Sequence, residues 1–96
     1  KDISSAGNFS QNYPNPFNPS TTISYQLKKE TEIELSVYNI KGQKVKTLVS
    51  EVQPAGDYRI VWEGCNQEGK TVSSGIYFYR LSSKGENIIR KMMLIK

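Results

Sequence analysis

From Thr21 onward apolar and polar residues alternate with a period of two, and no stretch of the chain repeats apolar residues at helical spacing. Successive side chains of a strand point to opposite faces, so this pattern belongs to strands that bury one face and wet the other. Ile23, Tyr25 and Leu27 interleave with Thr22, Ser24 and Gln26, and Ile33, Leu35 and Val37 interleave with Glu32, Glu34 and Ser36. Tyr58, Ile60 and Trp62 interleave with Asp57, Arg59 and Val61, which places the single tryptophan inward, as the anchor of a small core. Ile76 to Leu81 has large side chains on both faces, as a strand central in its sheet does. A last strand is expected over Ile88 to Ile95.

Turn residues separate these runs. Lys28 to Thr31, Lys41-Gly42, Pro54-Ala55-Gly56, the long polar Gly64 to Ser74 and Lys84-Gly85-Glu86-Asn87 recur at about the spacing of short antiparallel strands. The expected fold is all-β, an immunoglobulin-like or fibronectin III-like β-sandwich of about seven antiparallel strands. A chain of 96 residues builds one core at most. The polar, small-residue opening, Lys1 to Asn8, reads as a linker from a preceding domain, and 9–96 as the domain itself.

One segment escapes the alternation. Asn12-Tyr13-Pro14-Asn15-Pro16-Phe17-Asn18-Pro19-Ser20 carries three prolines, each fixing φ and restricting the residue before it, so it forms neither helix nor central strand. Asn15 and Asn18 have side chains that close local turns, while Tyr13 and Phe17 have the bulk to pin the segment on an apolar surface.

Catalytic chemistry finds few residues to work with. The chain has no histidine, which removes the commonest general base and metal ligand, and its one cysteine, Cys65, has neither a histidine nor a second thiol to activate it. Glu30, Glu32 and Glu34 belong to a turn and an outward strand face, where water keeps carboxylates ordinary. The Glu63 to Gly69 loop is oxygen-rich but lacks the ligand spacing of a calcium loop. No catalytic residue, metal or cofactor is expected, and the chain is not expected to be an enzyme. Its thirteen Lys and Arg are scattered and give a formal charge of +4 without a stripe, so no nucleic-acid partner is expected. No run of apolar residues is long enough to span a membrane, and an opening on Lys1-Asp2-Ile3 suggests a piece of a longer protein. Trp62, Tyr77 and Tyr79 read as buried. A sugar-stacking role, as in an accessory carbohydrate-binding or spacer module, would have to use surface aromatics such as Tyr13, Phe17 and Tyr38.

Taken in order, the segments resemble a known family. Asn12-Tyr13-Pro14-Asn15-Pro16-Phe17-Asn18-Pro19-Ser20-Thr21-Thr22-Ile23 is similar to the opening motif of type A C-terminal sorting domains of the type IX (Por) secretion system. Val37 to Val45, with Gly42, is similar to the second motif. Ser74-Gly75-Ile76-Tyr77-Phe78-Tyr79-Arg80-Leu81 is similar to the third, and Lys91-Met92-Met93-Leu94-Ile95-Lys96 to the closing one. The long Gly64 to Ser74 connection resembles instead the related sandwich of flagellar hook-capping proteins. The resemblance implies a signal attached behind an N-terminal cargo domain, recognised in the periplasm and carried through the outer-membrane translocon to the cell surface or medium. It also implies a sortase-like peptidase as a partner, cutting in the linker from Lys1 to Asn8 and releasing the cargo or joining it to anionic lipopolysaccharide. If the final strand lies at a sheet edge, its main chain offers pairing to a receptor strand, with Lys91, Met93, Ile95 and Lys96 as candidate recognition residues.

Overall fold

The computed structural model describes residues 6–9, 11–17, 19–84 and 86–95, with side chains from Gln11 onward. Lys1 to Ser5 of the expected linker, Asn18, Gly85 and Lys96 lie outside the described residues. Seven strands form: β1 (Ala6–Phe9), β2 (Thr21–Leu27), β3 (Thr31–Asn39), β4 (Lys44–Gln53), β5 (Gly56–Trp62), β6 (Gly75–Ser83) and β7 (Glu86–Leu94). They pair antiparallel in two sheets, one ordered β1-β2-β5 and the other β4-β3-β6-β7. The all-β sandwich expected from the alternation is the observed fold, with β6 inside its sheet and β7 at its edge. Among the described residues, no helix is long and apolar enough to cross a membrane.

The core lies between the sheets and takes the residues that the alternation turns inward. Ile23, Tyr25 and Leu27 of β2 face Ile33, Leu35 and Val37 of β3, with Tyr77, Tyr79 and Leu81 of β6 and Met92 and Leu94 of β7. Trp62 closes one end of this core. Its ring lies edge-on to Tyr77, with centroids 5.3 Å apart, and its indole N–H donates to the Cys65 carbonyl at 2.8 Å. The bond leaves the largest side chain of the core without an unsatisfied donor.

The boundaries of the first and last strands differ from the sequence reading. The first strand takes in Ala6 to Asn8, inside the stretch read as linker, because pairing along β2 needs only main-chain groups and no alternation. The last strand starts at Glu86 and not at Ile88, since Lys84, at a φ of 51°, already turns the chain out of β6. It ends at Leu94. Tyr13 is the other correction: its main chain bridges to Thr22, but its side chain is 80% exposed, and Phe17 alone of the two aromatics reaches the core.

Candidate recognition site at the strapped edge

The proline-rich segment is a strap that runs from the first sheet to the edge of the second. At its start the Tyr13 N–H donates to the Thr22 carbonyl, and the Thr22 N–H returns the bond to Tyr13. The Tyr13–Pro14 and Asn15–Pro16 peptide bonds are cis. At its end Phe17 bridges in parallel to Leu94: the Phe17 N–H donates to the Met93 carbonyl at 3.0 Å, and the Ile95 N–H donates to the Phe17 carbonyl at 2.9 Å. Between the two, the Met93 N–H donates to Asn15 Oδ1 at 3.0 Å and Gln11 Nε2 donates to the Lys91 carbonyl at 2.9 Å.

A buried polar cluster holds the bend. Asn12 is 2% exposed; its N–H donates to the Tyr79 hydroxyl at 2.7 Å, and its Nδ2 donates to Thr21 Oγ1 and to the Pro14 carbonyl. The Thr21 hydroxyl donates in turn to the Pro14 carbonyl at 2.8 Å, and Gln11 Nε2 reaches Asn12 Oδ1. A carboxamide suits this position because it donates twice and accepts at once, which neither aspartate nor leucine does. The Phe17 ring packs tilted on Trp62, with centroids 5.6 Å apart. Gly64 fits the same corner by lacking a side chain: its φ is +74°, and a Cβ there would lie 3.0 Å from the Pro19 carbonyl oxygen.

The candidate recognition residues therefore sit on an edge that is already occupied. On β7 the Lys91 carbonyl and both main-chain groups of Met93, and just past it the Ile95 N–H, all bond to the strap, so a receptor strand finds those atoms taken. The side chains of Lys91, Met93 and Ile95 remain exposed. Of the other motif residues, Tyr77, Tyr79 and Leu81 are core, Gly42 lies in the turn after β3, and Gly75 opens β6 opposite Leu94. The bond between strap and terminal strand was not legible in the sequence; the one signal for it was asparagine before proline, which frees a side-chain acceptor to reach across.

Burial pushes the Tyr79 and Tyr25 hydroxyls up to about 12, against the ordinary 10.0, although each also has a hydrogen-bond partner, the Asn12 N–H and Gln53 Oε1 respectively. The folded state thus holds these protons where the unfolded chain releases them. Stability from this source is whole below the unfolded value and is lost as pH rises through the folded one. Alkaline titration followed by circular dichroism is expected to show cooperative unfolding between about pH 10 and 12, and to move upward in Tyr25→Phe; an unchanged midpoint in that variant would rule out Tyr25 as a cause.

The outer face of the four-stranded sheet carries a second feature. The Arg80 guanidinium lies 4.8 Å from the Tyr38 ring centroid and donates to its hydroxyl. Glu34 accepts from Lys44 and Ser36, and Lys44 above all holds its carboxyl below the usual range, a departure from the ordinary carboxylate expected of that face. A groove of about 380 Å³ runs between Tyr38, Ile40, Phe78, Arg80 and Ile89. Among the described residues no group of three or more His, Cys, Asp and Glu side chains is placed to hold a metal ion. Cys65 lies half-buried in the loop after β5 and offers its thiol to the Glu63 carbonyl.

The family model of the FlgD Ig-like domain matches residues 15–87. The chain belongs to the FlgD Ig-like domain family. No curated protein matches the sequence. Three solved structures share the fold of this Ig-like domain. Dimeric latent PorU from Porphyromonas gingivalis superposes with a TM-score of 0.71 at 19% identity, over 91% of this chain and 9% of PorU. PorZ of the same organism, described as an essential bacterial surface component of the type-IX secretion system, gives 0.63 at 17% over 90% of this chain and 11% of PorZ. FlgD from P. aeruginosa gives 0.60 at 20% over 77% of this chain and 59% of FlgD. The chain thus spans about a tenth of PorU and PorZ and three-fifths of FlgD.

Proposed function

We propose that this Ig-like domain is a sorting signal, a folded address that directs a larger protein through the outer-membrane translocon of type IX secretion. One observation carries the reading. The family match stops at residue 87, and the stretch beyond it, Ile88 to Ile95, is the one that the strap fastens, through Asn15 and Phe17 at the start of the match and Gln11 before it. An Ig-like sandwich with a purely spacing role has no need of that junction. The likeness to PorU and PorZ supports the same reading, since it takes in 91% and 90% of the chain where FlgD takes in 77%. In this reading the domain is not an enzyme: translocon components and a sortase-like peptidase act on it, and the cargo passes through the periplasm to the surface or medium. The rival reading, a spacer or accessory module, draws support from the FlgD match itself.

The test is to fuse the chain behind a signal-peptide-bearing fluorescent protein and locate it in cells with and without a type IX translocon. Delivery to the surface or medium is expected only with the translocon, and periplasmic retention in both strains would favour the spacer. Deleting Lys91 to Lys96 is a poor control, because Met92 and Leu94 are each 1% exposed and belong to the core. The paired changes Met93→Ser and Ile95→Ser alter exposed side chains only and are expected to lower delivery while the domain stays folded.

A further inference from the structure

The edge of β7 has a covered stretch and an open one. In an antiparallel ladder alternate residues turn their main-chain groups away from the partner strand. On β7 these are the odd-numbered residues, as the bonds of the strap to Lys91, Met93 and Ile95 show. The unbroken pairing with β6 extends the alternation back to Asn87 and Ile89. Among the described residues, nothing bonds to their outward N–H and C=O groups. Beside this open edge lies the apolar groove, with Ile89 at its rim, 59% exposed, and Phe78 and Tyr38 further in.

Charge selects what fits there. Lys91 shares the outer face with Ile89 and stands opposite Phe78 in the register, and Arg80 stands opposite Ile89. Glu34 on this face is already held by Lys44 and Ser36. The surface around the open edge is therefore apolar and cationic, on a chain whose formal charge is +4. A second copy would bring like charge to the seam. We propose that Asn87 to Lys91 accept an extended acidic segment of a partner protein as an added strand, with a carboxylate opposite Lys91 and an apolar side chain two positions along, opposite Ile89. Main-chain bonds to Asn87 and Ile89 supply the pairing, and the directly opposed side chains supply the selectivity. The proposal does not depend on the sorting reading, because it uses the part of the edge that the strap leaves free.

The test is a titration of the ¹⁵N-labelled chain with a short synthetic peptide carrying glutamate two residues before valine in an otherwise threonine-rich extended sequence. A second peptide has lysine in place of the glutamate. Amide shifts are expected at Asn87, Ile89, Lys91 and Phe78. Lys91→Glu is expected to weaken binding about tenfold, and added salt to weaken it further. Ile89→Pro deletes an outward N–H without touching the β6 ladder and is expected to abolish binding in a domain that still folds. Equal binding of the lysine peptide, unchanged binding by Ile89→Pro, or absence of any shift would overturn the proposal. So would concentration-dependent shifts at the same amides without peptide, with a dimer in sedimentation, since a second copy would then own the edge.

Discussion

Phe17→Ala is expected to destabilise the domain by about 3–5 kcal/mol, the usual cost of deleting a fully buried aromatic from a close-packed core. Phe17 is 2% exposed and lies against Trp62, so its removal leaves a void bounded by a ring that has few ways to fill it. Its main chain carries the parallel bridge to Leu94, and a strap that has lost its anchor holds those bonds less well. Small domains are stable by roughly 5–15 kcal/mol, so the loss takes a large share of the total. Urea unfolding measures it as a lower midpoint. A drop below about 1 kcal/mol would mean that the strap rests on the sandwich without belonging to its core.

Asn12→Ala is expected to cost about 1–3 kcal/mol by a different route. Little apolar area is lost, but Thr21 Oγ1 loses a donor and the Gln11 amide loses its acceptor at Asn12 Oδ1. The Pro14 carbonyl keeps the Thr21 hydroxyl, which limits the damage. Asn12→Asp is expected to be no better, because a carboxylate cannot donate to Thr21 or Pro14. The cluster also predicts coupling. Tyr79→Phe removes the acceptor of the Asn12 N–H, and its effect combined with Asn12→Ala should depart from the sum of the two, as neighbours in one network do.

The strands whose one face is buried were legible because burial writes itself into every second residue. In β2, Ile23, Tyr25 and Leu27 are buried, and Trp62 ends β5 in the core as its position in the alternation requires. β1 was not legible: Ala6–Phe9 is a four-residue edge strand with no alternation to announce it. The strap could be read as rigid from its prolines, yet its destination could not be read, since a hydrogen bond from Asn15 to a strand far along the chain leaves no periodic trace. Tyr13 shows the limit most plainly. It has the same aromatic character as Phe17 and sits four residues earlier, but only the structure shows which of the two turns inward. The same holds for the candidate recognition residues, whose exposure followed from alternation while the occupation of their main chain did not.

The bond between Asn15 and Met93 joins residues 78 positions apart. A chain emerging during synthesis therefore makes the strap early and has nothing to fasten it to until almost the whole sandwich has been produced. Up to that moment the prolines hold the segment in shape, but β6 has no neighbour on its outer side, and Phe17 lacks the strand it bridges. The junction forms only when Leu94 and Ile95 are in place. Any factor that reads the fastened edge is thereby checking that translation has run through β7, so the same contacts that close the fold also report that its last strand has been made.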